Sequence, residues 1–344
     1  MGLSMRTGFL ALSLSGLLCS LWFNPCAAQI QRLPLNTSAI SVEVTPDIGG
    51  RILAIALPGK ENFLRQGEAV ISEPEPYVAP DADNVGYLAQ ETWLGPQSQW
   101  WTQQLVNPAR AQAKAVWPPD PYLILAKNQV VQADKRRVVM RTPASPVSGV
   151  VVEKHYALVE GKPDQLHLMA RATNIRDTTV AWDIWFNTRV PPSSQVYVPV
   201  ASQEDVRVEH MENEQRGSLG YRLVDGFFTF VSKAHPDKPG VRGKAFIQPS
   251  AGWMAAFREG QVFIIHFPLQ PTAVIHPEQG QVELYLDSIP EYPSQGLLEM
   301  EVHAPYRKLQ PGAHMEAEQT WRLLPYGGAD DPAAHIAFLR ALNL

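Results

Sequence analysis

The sequence predicts an all-β protein, one large antiparallel β-sandwich with a short helix near its C-terminal end. Three observations carry this. Apolar and polar residues alternate with period two through most of the chain. Turn residues punctuate the alternating runs at regular intervals. Proline is abundant, at 30 of 344 residues, against roughly 5% in ordinary proteins. Proline lacks a backbone donor and breaks helix interiors, so the excess argues against a helical bundle and for strands joined by turns. A hydrophobic fraction of 45% supplies a sizeable core. The prolines are dispersed and aromatic residues make up 9%, which excludes a disordered chain.

The alternation is clearest in four segments. Val150, Val152, Tyr156 and Leu158 share one face, opposite Val151, Glu153, His155 and Ala157. Leu166, Leu168, Ala170 and Ala172 oppose His167, Met169 and Arg171. Val282, Leu284 and Leu286 oppose Glu283, Tyr285 and Asp287, and Leu298, Met300 and Val302 oppose Glu299, Glu301 and His303. Each reads as a half-buried strand. Further strands are expected at 51–57, 123–127, 136–141, 227–231, 253–258, 262–267 and 319–324. Turns fall between them at Asp47-Ile48-Gly49-Gly50, Glu160-Gly161-Lys162-Pro163 and Gln310-Pro311-Gly312. Helical pattern is confined to the C-terminus. There Asp330 or Asp331 caps, Pro332 opens, and Ile336, Leu339 and Leu342 form a stripe. Residues 60–122 differ in kind, being loop-rich and carrying Trp93, Trp100, Trp101, Trp117 and Tyr122. A long structured loop on a β scaffold is a common seat of function.

Residues 1–28 have the form of a secretory signal. Arg6 supplies the positive start, Gly8 to Phe23 is apolar, and Cys26-Ala27-Ala28 is a small-residue exit. The run is short for a membrane span. Cys19 follows Leu18 and Cys26 follows Pro25, which does not suit a lipidated cysteine. The expected organisation is a signal at 1–28 and a single domain at 29–344, periplasmic or secreted from a bacterium and free of the membrane after cleavage. Both cysteines lie in the signal, so disulfides, thiolate catalysis and cysteine zinc sites are excluded from the rest. The net charge of −5, without a basic block, excludes nucleic acid as a partner. GxGxxG, GxxxxGK[ST], GxSxG and HExxH do not occur. The nine histidines are not at ligand spacing, so no metal ligand set and no cofactor is read.

Several patterns together resemble the galactose mutarotase-like, or aldose 1-epimerase-like, superfamily, in particular an exported branch known only as a domain of unknown function. They are Glu43-x-x-Pro46-x-x-Gly49-Gly50-Arg51-Ile52 followed by Asn62-Phe63-Leu64, then Trp93-Leu94-Gly95-Pro96-Gln97 with Trp100-Trp101. The C-terminal run has Val282-Glu283-Leu284-Tyr285-Leu286, Leu298-Glu299-Met300-Glu301, Pro305, Leu309-x-Pro311-Gly312 and Glu318-x-x-Trp321. The resemblance spans most of 35–325. It implies a twisted antiparallel β-supersandwich and a carbohydrate ligand.

Mutarotation needs a base at the anomeric hydroxyl and an acid at the ring oxygen. Leu298-Glu299-Met300-Glu301, with Pro305 following, resembles the strand that carries the base in mutarotases and implies that role for Glu299. Ala181-Trp182-Asp183-Ile184-Trp185-Phe186-Asn187 resembles the segment that carries the acid, but Asp183 stands where mutarotases have histidine. Between two tryptophans, its carboxyl is expected to be raised by desolvation; the alternative is a buried structural hydrogen-bonding role. The second mutarotase histidine has no counterpart around Leu94-Gly95-Pro96. Trp100 and Trp101 offer stacking platforms for a sugar face. Arg51, Gln97 and His276 are further candidate ligand contacts, with core packing or a surface turn as the plainer role of each. Three functions follow: a divergent epimerase using Glu299 and Asp183, a binding module using Trp100, Trp101, Arg51 and Gln97, and a structural envelope protein. Oligomeric state is not legible.

Overall fold

The computed structural model describes residues 1–2, 29–231 and 237–344. The expected signal segment, apart from Met1 and Gly2, lies outside the described residues. Among the described residues no helix is long and apolar enough to cross a membrane.

Two large sheets face each other. The first has ten strands, in the order Tyr221–Val224, Phe227–Phe230, Gln195–Pro199, Trp253–Arg258, Gln261–His266, His314–Pro325, Gln165–Asn174, Val150–Leu158, Arg137–Arg141 and Gln129–Ala133. The second has eight. Its main path runs Val206–His210, Gly240–Ile247, Val282–Ser288, Leu297–His303, Val180–Val190 and Arg307–Leu309. Gln90–Gly95 pairs with Val180–Val190, and Arg216–Gly217 with Gly240–Ile247. A three-stranded sheet of Leu33–Asn36, Ser41–Thr45 and Arg51–Ala56 adds to the same core.

The alternating segments became strands with the expected inner faces. In Val150–Leu158 every second residue from Val150 is buried. Leu298, Met300 and Val302 join Leu284 and Trp321 in the main core. Full burial of each such side chain contributes about 1.5–3 kcal/mol. The C-terminal helix is Pro332–Ala341, capped by Asp331, whose side chain accepts the Ala334 amide. Ile336 and Leu339 pack on the outer face of the ten-stranded sheet beside Phe257 and Trp253.

Two expectations fail. The strand expected at 123–127 is instead a helical turn, Pro121–Ile124. Asp120 accepts the Tyr122 amide and Pro121 sits in the first turn, a start signal that outweighs the apolar run. The segment 60–122, read as loop, contains the strand Gln90–Gly95, which is buried on both sides. A strand with two buried faces shows no alternation.

The Gly49-Gly50 turn joins Ser41–Thr45 to Arg51–Ala56. Both glycines have positive φ, and a Cβ on Gly49 would lie 2.2 Å from the Ile124 carbonyl oxygen. Lys154, on the inner face of its strand between Val152 and Tyr156, reaches this turn. Its Nζ donates to the Gly49 carbonyl at 2.5 Å and the Leu123 carbonyl at 3.4 Å. It is 1% exposed, and among the described residues no carboxylate is paired with it. Burial, with Arg51 adding to it, lowers its pKa to about 7.

This shift has a defined sign. Between pH 7 and the ordinary lysine value the unfolded chain binds the proton that the folded chain has lost, so stability rises with pH across that window. Urea unfolding is expected to show about 2 kcal/mol more stability at pH 9 than at pH 7 from this group. Lys154→Met should abolish that rise; an unchanged pH slope in the variant would assign it elsewhere.

Candidate functional site

The eight-stranded sheet has an apolar face toward the core and a second face lined by charge. Register assembles the latter. Across the ladder Glu299 lies opposite Arg189, Glu301 opposite Asn187, and His303 opposite Trp185. Glu283 pairs with Glu301 on the other side, and Trp93 and Gly95 pair with Trp185 and Asp183. Side chains in facing positions share a face, so one polar surface runs from Lys244 through Glu283, Glu301 and His303 to Asp183. Nearly all of it is buried.

Two ion clusters occupy this face. In the first, Lys244 Nζ lies 2.6 Å from Glu283 Oε2 and 2.8 Å from Glu301 Oε2. His303 Nδ1 lies 3.1 Å from Asp183 Oδ1, and its Nε2 is 3.5 Å from Glu283 Oε1. Burial alone would depress His303, but Glu283 and Asp183 outweigh it and raise the ring to about 9. Burial likewise pushes Glu283 up, yet Lys244 and His303 hold it below the usual range. Glu301 goes the other way: desolvation, with Glu299 and Glu283 nearby, lifts it well above a normal glutamate despite Lys244. Asp183 is raised chiefly by burial, with His303 opposing.

The second cluster is a chain, Arg51–Glu91–Arg189–Glu299. Glu91 lies 2.5 Å from Arg51 Nη1 and 3.0 Å from Arg189 Nη1, and it accepts the Trp93 indole N–H at 2.6 Å. Arg189 Nε donates to Glu299 at 2.7 Å. Burial works against Glu91's charge, but the two guanidiniums overcome it and lower its pKa.

An aromatic cluster adjoins the first ion group. Trp100 stacks on Trp185 at 5.8 Å, and Trp93 meets Trp185 edge-on at 4.9 Å. Trp117, half exposed, packs against Trp93 and Trp100. Trp185 in turn touches His303 at 4.5 Å and carries the Lys244 ammonium 4.7 Å from its ring centre. Several polar atoms here are buried without a hydrogen-bond partner: both side-chain atoms of Asn187 and of Gln279, Asp183 Oδ2 and Glu301 Oε1. Gly95 makes room for two of them, since a Cβ there would meet Gln279 Nε2 at 2.4 Å and Asp183 Oδ2 at 2.6 Å.

The residues expected from sequence distribute unevenly. Glu299 and Asp183 share the face but do not meet: Arg189, opposite Glu299, is six residues from Asp183 along one strand, roughly 20 Å. The expected Glu299–Asp183 pair is therefore corrected; Asp183 is joined to His303, and Glu299 to Arg189. Arg51 is 1% exposed, and its guanidinium donates to the carbonyls of Ile48, Leu88 and Ile124. That is a scaffold role, because no donor faces an open surface. Trp101 is fully buried, bonded to the Pro118 carbonyl and covered by Arg110, so it is not a platform. Trp100 is buried too, but against the site. Gln97 donates to the Val116 carbonyl and secures the segment that carries Trp100 and Trp117. His276 lies in a turn against Tyr306 at 4.8 Å, away from the ion clusters except through a weak field at Asp183.

Sequence reasoning missed Glu283, Lys244, Arg189, Glu91 and Trp185 as site members. It also read no metal ligand set, whereas Glu283, Glu301 and His303 bring donor atoms within 4.8 Å of one another. The signal was present in part: the same alternation that placed Glu301 and His303 beside Glu299 put Glu283 on a polar face.

The architecture is that of a large antiparallel β-sandwich shared with several solved proteins. A Klebsiella pneumoniae protein described as a candidate aldose 1-epimerase superposes with a TM-score of 0.52 at 14% identity, covering 89% of this chain and 81% of the other. The Slr1438 protein of Synechocystis gives 0.51 at 12% identity over 87% and 97%. A TPR-domain-containing protein of Parabacteroides distasonis gives 0.52 at 12% identity over 88% and 49%. No curated protein matches the sequence. The chain belongs to the family called domain of unknown function DUF4380, whose model matches residues 30–324.

Removing Glu91 would leave two buried guanidiniums without their shared carboxylate. Glu91→Ala is expected to cost about 3–5 kcal/mol in urea unfolding, and Glu299→Ala, at the solvent end of the chain, less than half of that. Equal losses would mean that the bridge is not what holds the two arginines.

Proposed function

We propose that this is an exported carbohydrate-recognising protein whose site is the polar face beside Trp185. The observation that carries the reading is the set of buried, unpartnered amide and carboxylate atoms of Asn187, Gln279 and Asp183 next to stacked indoles. Neutral amides and carboxylates paired with an aromatic ring match a sugar, which offers hydroxyls at its edge and C–H groups on its faces. The superposition on a candidate aldose 1-epimerase supports the same ligand class. Trp100 covers Trp185, so a sugar stacking there displaces it, and the segment 96–118 moves with it.

Recognition is favoured over mutarotation by Glu299 and Asp183. That acid–base pair requires both carboxyls at one anomeric carbon, whereas their strand positions lie roughly 20 Å apart and each carboxyl is bonded to a different partner. Export rests on the apolar run Gly8–Phe23 and the Ala27-Ala28 exit.

A glycan-array screen tests the reading. Binding to a defined sugar is expected, with at least a tenfold loss in Asn187→Ala and in Trp185→Phe. Absence of any glycan signal with a correctly folded protein would overturn it. For export, mass spectrometry of the protein recovered from the producing cell's envelope is expected to find Gln29 as the first residue; an intact Met1 would refute cleavage.

A further inference from the structure

We infer that Glu283, Glu301 and His303 form a binding site for a divalent transition-metal ion of the zinc class. The inference goes beyond carbohydrate recognition and does not depend on it.

The geometry divides the carboxylate oxygens between two cations. Lys244 takes Oε2 of Glu283 and Oε2 of Glu301. Both Oε1 atoms remain. That of Glu301 has no hydrogen-bond partner. That of Glu283 accepts only the Gly280 amide, at 3.1 Å, and stands 3.5 Å from His303 Nε2. Zinc bonds of 2.0–2.2 Å place tetrahedral donors about 3.4 Å apart, so the histidine and Glu283 are already at ligand separation. Turning the free Glu301 oxygen completes three protein donors, all within 4.8 Å of one another.

His303 is held as a ligand would be. Asp183 Oδ1 lies 3.1 Å from Nδ1. With the ion bound, Asp183 keeps the ring proton on Nδ1, while Nε2, which has no hydrogen-bond partner, releases its proton to solvent and offers a lone pair on the side of the glutamates. A carboxylate behind a ligating histidine is the usual outer support of such a metal. Outside the three donors, Asn187 projects from the same face directly opposite Glu301, fully buried, with both side-chain atoms unpartnered. A water in the fourth coordination position would satisfy it.

Charge balance agrees. Asp183, Glu283 and Glu301 are three buried carboxylates, and Lys244 neutralises one. With the ion bound and His303 neutral, the two positive charges of the ion match the remaining two carboxylates, so no unpaired charge is buried. One imidazole with two carboxylates and an open position suits zinc, manganese, iron or cobalt rather than calcium, which takes six to eight oxygens. Trp185 lies against the His303 ring, with Trp93 edge-on behind it.

The full protein, dialysed against chelator and then titrated calorimetrically with Zn2+ and with Co2+, tests this without any sugar. One ion per chain is expected, with micromolar or tighter affinity and, for Co2+, the visible absorption of a four-coordinate site. His303→Gln should lose at least 100-fold in affinity. Asp183→Asn, which keeps the shape of the site, should lose 10–100-fold, and His314→Gln, at an exposed histidine on the ten-stranded sheet, should bind as the parent does. Circular dichroism checks that each variant is folded. No saturable binding by the folded parent overturns the site, as does binding that survives in folded His303→Gln. A glycan result of either sign leaves these outcomes unaffected.

Discussion

The carboxylate of Glu91 is the interaction on which the arrangement of the charged face depends. It stands on the strand Gln90–Gly95 and pairs with Arg51 of the opening sheet and Arg189 of the central strand. Three pieces of chain distant in sequence are thereby tied at one buried point. A lone carboxylate there would be strongly disfavoured, and so would either guanidinium. Together they are mutually required, so each strand can dock only where the other two already are. Arg51 extends the tie through the carbonyls of Leu88 and Ile124. The motif that opens the domain is thus a fastening for the site, not a part of it.

The remaining polar residues sort by what they face. The Lys244 cluster is enclosed and adjoins indoles, so its electrostatics are strong and its groups sit far from their ordinary protonation ranges. Glu299 ends the other chain nearer to solvent, bonded to Arg189. Two glutamates two residues apart on one strand therefore have different chemistry. The difference comes from their neighbours across the ladder, Arg189 for one and Asn187 for the other.

Much of the fold was legible because period-two alternation is a direct consequence of one buried sheet face. It failed where both faces are buried, as in Gln90–Gly95, or where a cap outweighed an apolar run, as at Asp120-Pro121. The site was legible only along each strand. Alternation placed Glu299, Glu301 and His303 together, but it carries no information about the pairing partner. A histidine does adjoin position 183, but from the neighbouring strand: His303 lies opposite Trp185 and bonds Asp183. Lys154 was hidden for a related reason. It occupies an inward position in an apolar series, and only the tertiary contact with Gly49 accounts for a cation there.

The strand Leu297–His303 has both faces inside the protein, one wholly apolar and the other charged. A shift of its pairing by one residue would exchange the faces. Leu298, Met300 and Val302 would then abut ammonium and carboxylate groups, while Glu301 and His303 would enter hydrocarbon. Each error carries a penalty of several kcal/mol, and they occur together. The groups proposed to hold ligands thus also proofread the assembly of the sheet. A protein stripped of them to gain a smoother interior would gain tolerance for misalignment as well.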